Sequence, residues 1–340
     1  MPQHPGPSTS HGEEGGRPAG GAVLDHRAAA DYVLRRQTPA GGFCFYRTPQ
    51  WGVEEPNAPD TLAALASLLL LGVEPPAPEA TGQWLRHLQN DEGGYPSLTI
   101  GWAALRGLEL LGSAPLRSPW TWLAGWAQRL LTTRRAVPQD TRAAIQGLLR
   151  LAELLALDPD QSTEVAHLLA VSAESRGGWA RPGADVETTA LAVQLARRAG
   201  EIPVDSRAVG RFLRGCEDSA VGIRVRPDSH ATTVGALWGG LVIAAALEMP
   251  PRWPAAIAAS LVLLQRPNGG LGARHGAVAT LRDTWRGLCA EHLLRHDPRR
   301  PNEGTAFPQL ERASETPGPP LGAPRSTLST RPAPPRAHRR

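Results

Sequence analysis

A turn of two adjacent glycines that recurs along the chain constrains its fold more than any other feature. A weaker form stands at Val221-Gly222-Ile223, and the four clear copies are Gly41-Gly42-Phe43, Gly93-Gly94-Tyr95, Gly177-Gly178-Trp179 and Gly269-Gly270-Leu271. The second residues of successive copies are 52, 84, 44 and 48 residues apart, and the longest interval holds a degenerate copy near AVPQDTRAAIQGL. Six units of about 45 residues follow, which is typical of a repeat architecture.

Each unit contains the same order of local signals. A helix ending in glutamine comes first (YVLRRQ, WLRHLQ, SLVLLQ), then the glycine turn and a loop, and then an Asp or Thr that opens a second helix such as APDTLAALASLLLLG. The second helices repeat apolar residues at three- and four-residue spacing. No segment alternates polar and apolar residues, so strands are not expected. The pattern predicts six helix pairs, in an open solenoid or a closed ring, with the second helices buried.

Both ends of the chain differ in composition from the part between them. Residues 1–22 and 297–340 are rich in Pro, Gly, Ser and charge, so both are predicted to be disordered, and the folded body is one domain over residues 23–296. The net charge of +4 lies in the C-terminal tail, which holds eight Arg and four acidic residues. Because the remaining chain is neutral, a nucleic-acid partner is not expected.

The cysteines and the apolar runs bear on location. Cys44, Cys216 and Cys289 show no CxxC spacing and leave one residue over in any disulfide scheme, which favours reduced thiols in an intracellular protein. The N-terminal residues lack a secretory signal, and no run of about 18 apolar residues is present to span a bilayer. A cytoplasmic protein is the expectation. The basic tail is interpreted as a solvated appendage, with peripheral contact to a membrane or an acidic partner left open.

Three segments carry a family resemblance. QTPAGGF, LQNDEGGY and LQRPNGGL resemble the glutamine-glycine-aromatic repeats of the superfamily that contains terpene cyclases and protein prenyltransferase β subunits. The resemblance covers roughly residues 24–296. It implies an all-α (α/α)6 toroid, in which inner helices surround an apolar cavity for an isoprenoid chain, and the N-termini of these helices, with their acids, ring one mouth.

The segment GGWARPGADVETTALAVQLAR, residues 177–197, is similar to the part of class II terpene cyclases in which Gly-Gly-Trp leads to Asp-x-Asp-Asp-Thr-Ala. Asp185 stands at the first Asp, Glu187 at the middle Asp that donates the proton in those enzymes, and Thr188 replaces the last Asp. Protonating an alkene or epoxide needs a carboxylic acid that burial and a neighbouring acid keep protonated. The resemblance therefore implies that Glu187 is the catalytic acid and that Asp185 tunes it.

The prenyltransferase branch of the superfamily implies a different chemistry at the same place. Its β subunits hold zinc with an Asp, a Cys two residues on, and a His from a later repeat, and the matching positions here are Asp185, Glu187 and Asp283. With carboxylates in place of Cys and His, zinc is not expected, and an oxygen-rich trio would suit magnesium better. No metal ligand is assigned.

Aromatic and charged residues near the helix starts are further candidates for substrate binding. Tryptophans that could stabilise a carbocation, or serve as plain core, are Trp51, Trp102, Trp179, Trp238 and Trp285. Asp283 and His230 could face the mouth or simply cap helices. Loop arginines that could hold a diphosphate, or be merely solvated, are Arg47, Arg224, Arg226, Arg274 and Arg282.

Two functions from different classes compete. The first is an isoprenoid-transforming enzyme in which Glu187, tuned by Asp185, starts the cyclisation of a polyprenyl or polyprenyl diphosphate substrate. The second is a non-catalytic isoprenoid-binding or scaffold barrel, with or without a partner subunit, and a transferase with altered metal ligands lies between them. A barrel filled with polar groups would argue against both isoprenoid hypotheses.

Overall fold

A computed structural model describes residues 22–48, 53–132, 140–174, 177–179 and 183–295. The tails predicted to be disordered, apart from residue 22, lie outside the described residues, as does Trp51. No helix in these ranges has both the length and the apolar character needed to cross a membrane.

Helices make up almost all of the described chain. The twelve helices of these ranges are α1 (His26–Leu34), α2 (Ala58–Leu71), α3 (Pro78–His87), α4 (Leu98–Leu110), α5 (Trp120–Thr132), α6 (Thr141–Ala152), α7 (Pro159–Ser172), α8 (Val186–Arg198), α9 (Ser206–Cys216), α10 (Val234–Ala246), α11 (Pro254–Leu264) and α12 (Leu281–Arg295). The all-α prediction is confirmed, and the unit with the degenerate turn supplies α5 and α6 as a full helix pair.

Three short antiparallel ladders lie in the loops, where the sequence predicted no strands. They pair β1 (Arg47–Thr48) with β2 (Val53–Glu54), β3 (Glu217–Asp218) with β4 (Gly222–Ile223), and β5 (Leu271–Gly272) with β6 (Ala279–Thr280). Each strand has two residues, which is too short for polar and apolar residues to alternate detectably. The ladders therefore close loops and form no core sheet.

The even-numbered helices form a closed ring. Packing runs from α2 to α4, α6, α8, α10 and α12 in order, and α12 packs against α2. The odd-numbered helices pack outside this ring, each against an inner helix next to it in sequence. The structure is therefore the (α/α)6 toroid rather than an open solenoid, and α6 and α12 stand on opposite sides of its lumen.

Burial explains which helix of each pair lies inside. Residues 61–68 of α2 are all buried, and most of α10 is buried as well, because an inner helix contacts two inner and at least one outer neighbour. The outer helix α9 is amphipathic, burying Val209, Phe212 and Leu213 on one side only. The three cysteines are buried and unpaired in disulfides, and burial raises the pKa of Cys216 and Cys289 to about 12.

The glycine turn is required by a close approach to the next outer helix. Gly269 has φ of +91°, and a Cβ on it would lie 1.9 Å from the carbonyl oxygen of Ala28 at the start of α1. The glutamine before the turn closes the same contact, because Gln265 donates to the carbonyl oxygens of Gly269 and Asp25 and accepts from the Asp25 amide. Gln89 makes the corresponding bonds to Gly93 and Arg117.

A threonine in the inner helix fixes the other side of the turn. The amide of Trp179 donates to the Thr189 hydroxyl at 3.1 Å, and this hydroxyl donates to the carbonyl oxygen of Asp185 at 2.7 Å. Thr61 and Thr284 make the same two bonds in their own repeats. The turn is thus held at a fixed height above the start of each of these inner helices.

Candidate functional site

The starts of α6, α8 and α10 surround a cavity of about 500 Å³ at one rim of the toroid. Charged side chains contribute much of its wall, including Asp140, Arg142, Asp185, Glu187 and Arg226. Asp140 and Asp185 are N-caps, whose side chains accept hydrogen bonds from the free backbone amides of Ala143 and Thr188. The candidate site therefore lies where three helix N-termini and a set of charged side chains meet.

Asp185 is held by Thr188, three residues further along the chain. Its Oδ1 accepts the Thr188 amide at 2.8 Å, and its Oδ2 accepts the Thr188 hydroxyl at 2.8 Å. Both carboxylate oxygens are thus engaged with Thr188, which is fully buried. Asp185 acts as a helix cap in this arrangement.

Glu187 forms ion pairs with arginines from two other inner helices. Arg142 at the start of α6 pairs with its Oε1, and Nη2 of Arg286 on α12 lies 2.6 Å from the same atom. The side chains of Glu187 and Arg286 are 16% and 12% exposed. Since α10 stands between α8 and α12 in the ring, this pair crosses the lumen in front of α10.

Gly235 of α10 provides the room for that crossing. A Cβ at this position would lie 2.7 Å from Oε2 of Glu187 and 3.5 Å from Nη1 of Arg286. The Arg286 guanidinium also lies 5.0 Å from the ring centroid of Trp238, which follows Gly235 by one turn on the same side of α10. A glycine and a tryptophan of α10 therefore shape the pocket that holds the ion pair.

The arginines decide the charge of Glu187. Burial is the largest single influence and raises its pKa, but the charges of Arg286 and Arg142 together outweigh burial and hold the pKa of Glu187 below its usual range. The carboxyl group is therefore ionised near neutral pH in this arrangement. That finding corrects the expectation of an acid kept protonated by burial and by Asp185. The expectation was wrong because no sequence pattern showed that two arginines reach Glu187.

The charges of three arginines on α6 and α12 interact, and Arg282 is the exposed member of the three. Burial lowers the pKa of Arg150 on α6 and of Arg286 on α12, and the charge of Arg282 lowers both further. As α6 and α12 are opposite, the interaction between Arg150 and Arg282 spans the lumen. Among the described residues, no carboxylate lies within ion-pair distance of Arg150 or Arg282, although the charge of Glu153 acts on Arg150. We call Arg150, Arg282 and Arg286 the arginine triad.

Further charged residues line the lumen on the side of α4 and α6. Arg150 donates to the Thr99 hydroxyl at 2.7 Å and lies over the ring of Trp102, whose Nε1 donates to Glu153. Deeper along α4, Arg106 pairs with Glu109, on which Arg198 of α8 also acts from across α6. The expectation of a cavity that is apolar throughout is therefore wrong on this side.

The wall formed by α8 and α10 differs. Leu191 and Val242 lie one turn beyond Glu187 and Trp238 on the same helix faces, and both are apolar. Leu191 belongs to the main core cluster, and Val242 packs against it. Beyond Glu187 and Trp238, the same faces of α8 and α10 thus continue with apolar residues, in contrast to the charged residues of α4, α6 and α12.

The other predicted binding residues fall in different surroundings. Trp179 is 5% exposed and its indole donates to the carbonyl oxygen of Leu169, so it lies in the core behind the site. Trp285 packs beside a core cluster between α1 and α2. His230 is exposed in the loop before α10, between Ser229 and Ala231 of the cavity wall, and its charge contributes to lowering the pKa of Asp218.

Asp283 is close to the triad but is bound by its own helix start. It is 5% exposed, its Oδ2 accepts the Thr280 hydroxyl at 2.8 Å, and its charge raises the pKa of Arg286 against the larger effect of burial. Within the described ranges, no three His, Cys, Asp or Glu side chains come together in a way that could hold a metal ion. Asp185, Glu187 and Asp283 therefore do not form the magnesium trio considered from the sequence.

The predicted loop arginines divide in the same way. Arg226 lines the cavity and lies 3.5 Å from Asp228, while Arg224 is bound to the carbonyl oxygens of Ser229 and Gly215. Arg274 is exposed, and the side chain of Arg47 lies outside the described part. Only Arg282 joins the lumen triad.

Sequence reasoning missed Arg142, Arg150, Arg286 and Gly235. The segments QDTRAA and RDTWRG each place an arginine in the first two turns of an otherwise apolar inner helix, where the helix dipole disfavours a cation. That placement is the signal that could have identified Arg142 and Arg286. Nothing in the sequence shows that they meet at Glu187.

Comparisons with known proteins give a fold neighbour and no family assignment. No family model matches the chain, and no curated protein matches it. Among solved structures, the chain is similar to a type II terpene cyclase from Scytonema in complex with its product, merosterolic acid A. The two share 15% identity with a TM-score of 0.49, over 80% of this chain and 96% of that one. The toroid described above rests on the helix contacts of this chain itself.

Proposed function

We propose that this toroid handles an isoprenoid with an anionic head group of the diphosphate type, bound with the head group at the arginine triad. The observation that carries the proposal is the triad itself. The charge of Arg282 repels Arg150 and Arg286, which are both desolvated by burial, and among the described residues only Arg286 of the three has a carboxylate at ion-pair distance. A multivalent anion would relieve that repulsion and accept bidentate hydrogen bonds.

The contrast between the apolar residues of α8 and α10 and the charged residues of α4, α6 and α12 supports an amphiphile rather than a simple phosphate. A hydrocarbon chain would find apolar contacts along Leu191 and Val242, whereas the charged residues of α4 and α6 would exclude it from their side. A purely apolar isoprenoid would leave the triad without a counter-charge. This is why the polar lumen, which argues against a neutral hydrocarbon ligand, supports a prenyl diphosphate.

At rest the geometry supports binding more directly than acid-initiated cyclisation. An ionised Glu187 between two arginines has no proton to donate to a double bond. Cyclisation is the second candidate, because burial already favours the protonated form of Glu187 and only the arginines oppose it. The second candidate thus needs the arginines to leave Glu187.

Isothermal titration calorimetry and native mass spectrometry with farnesyl and geranylgeranyl diphosphate test the proposal, with farnesol as the neutral control. We expect wild-type protein to bind the diphosphates at least tenfold more tightly than farnesol, with and without magnesium. Arg150→Gln and Arg282→Gln should each weaken diphosphate binding about tenfold, since a charge-assisted pair contributes roughly 1.5 kcal/mol or more. Arg211→Gln, on the exposed face of α9, is the matched control.

Equal affinity for farnesol and the diphosphates would overturn the head-group assignment. Equal losses in Arg150→Gln and Arg211→Gln would show that net charge alone is responsible. Product analysis of the same incubations separates a binding barrel from an enzyme.

A further inference from the structure

We infer that Arg286 couples head-group binding to the protonation of Glu187: an anion at the arginine triad draws Arg286 away from Glu187, which then takes up a proton. The inference rests on the proposed function, because it concerns the same anion at the same arginines. It assigns Arg286 a positioning role that neither the fold nor the family resemblance supplies.

The geometry makes Arg286 a shared group. Its guanidinium lies 2.6 Å from the Glu187 carboxylate on one side and 5.0 Å from the centroid of the Trp238 ring on another. On the side of α12 it stands one turn from Arg282, with which it forms the triad. An anion bound by Arg282 and Arg150 therefore competes with Glu187 for the same guanidinium.

Loss of Arg286 removes the largest of the charge effects that oppose burial at Glu187. Its side chain is 16% exposed, and Gly235 closes one side of the carboxyl group. Arg142 remains, but its side chain is 39% exposed, so solvent screens its charge more than that of Arg286. An anion in the lumen adds negative charge nearby, which raises the pKa of the carboxyl group further.

Other ionisable groups face Glu187 from each neighbouring element. From α6 they are Asp140 and Arg142, from its own helix start Asp185, from the loop before α10 Arg226, and from α12 Arg282, Asp283 and Arg286. Thr233 and Gly235 at the start of α10 carry no titratable group. Because Asp140 and Asp185 are bound as helix caps, Glu187 is the carboxyl group here whose partner is shared with the anion site.

The proton balance is simple. In the free protein Glu187 is a carboxylate paired with Arg286, and in the complex it is a carboxylic acid, with one proton taken from solvent and the anion paired with Arg286 instead. No electron transfer is involved. The bound state would then hold a proton donor beside the ligand, which the free state does not.

Calorimetric titration with inorganic pyrophosphate in two buffers of different ionisation enthalpy measures the protons taken up on binding. Wild type is compared with Glu187→Gln, so that protons gained by pyrophosphate itself cancel. We expect wild type to take up about one more proton per pyrophosphate than Glu187→Gln between pH 6 and 8. Asp205→Asn removes an exposed N-cap carboxylate of α9, outside the cavity, and should behave as wild type.

Equal proton uptake in wild type and Glu187→Gln would overturn the inference while leaving the proposed function standing, because pyrophosphate would still bind. No pyrophosphate binding to wild type would overturn both. If Glu187→Gln does not fold, difference infrared spectroscopy of wild type serves instead. The carbonyl stretch of a protonated carboxyl should appear on adding pyrophosphate, and its absence at saturation contradicts the coupling.

Discussion

At the scale of single residues, Glu187 shows how partners rather than burial can set the charge of a buried acid. Burial of the side chain favours the neutral form, and the guanidinium groups of Arg286 and Arg142 reverse that preference. Removing Glu187 would leave the charges of the two arginines uncompensated, which lowers the free energy of unfolding.

Glu187→Gln should therefore destabilise the protein by on the order of 3 kcal/mol at pH 7, contrary to what a protonated acid would predict. The pKa of Glu187 is lowered on folding, so its stabilisation is present above the unfolded pKa and is lost as pH falls through the folded pKa. Urea unfolding of wild type and variant should converge from about pH 5 downward. Parallel curves down to pH 3 would contradict the ionised state.

At the scale of elements, the toroid depends on close contact between particular inner helices. Gly235 and Gly239 lie on the side of α10 that faces α8, and a Cβ on Gly239 would lie 3.1 Å from the carbonyl oxygen of Val186. The cross-lumen ion pair forms in the space that these glycines leave.

Gly235→Ala should lower the free energy of unfolding by about 1–3 kcal/mol, because the added methyl group overlaps Glu187 Oε2 at 2.7 Å. Gly125→Ala on the outer helix α5 is the matched control, since a Cβ there meets nothing within 4 Å and should stabilise by up to about 1 kcal/mol. Urea denaturation measures both. A gain in stability at both positions would show that Glu187 does not occupy the space beside Gly235.

The sequence predicted the element scale better than the residue scale. The glycine turns, Gln265 and the cap at Asp185 act within a repeat or between neighbouring repeats, so a short pattern contains them. Glu187 meets Arg142 from the neighbouring inner helix and Arg286 from the inner helix beyond α10, and no short sequence pattern contains a contact between these repeats. The two hydrogen bonds of the Thr189 hydroxyl, from the Trp179 amide and to the Asp185 carbonyl oxygen, were likewise missed, because a Thr near a helix start is usually interpreted as a cap.

At the scale of the whole molecule, the first and last repeats hold the ring shut. Glu291 of α12 is 2% exposed, accepts the amides of Val23 and Leu24, and lies 2.6 Å from Nε2 of His26. Asp25 is bonded to Gln265 at the same junction. The few residues before α1 therefore join the first repeat to the last one and close the ring.

Deleting residues 1–20 and 300–340 should shift the thermal midpoint by less than about 5 °C, as the composition of the tails predicts. Deleting residues 1–26 instead should lower the midpoint well beyond that, because it leaves the buried Glu291 carboxylate without the two backbone amides and the imidazole that bind it. Differential scanning calorimetry compares the two truncations. Similar midpoints would show that the ring closes without this junction.

The junction at Glu291 also has a consequence for chain connectivity. Residue 23 is bonded to a side chain one helical turn before the end of α12, so the two ends of the described fold are neighbours in space. A short linker could join them, and new ends could be opened in an exposed connection such as the one around Glu74 and Pro76, between α2 and α3. In a closed ring no helix pair is first by necessity, so the linear order of the six pairs is one of several circular permutations that the same contacts would accept.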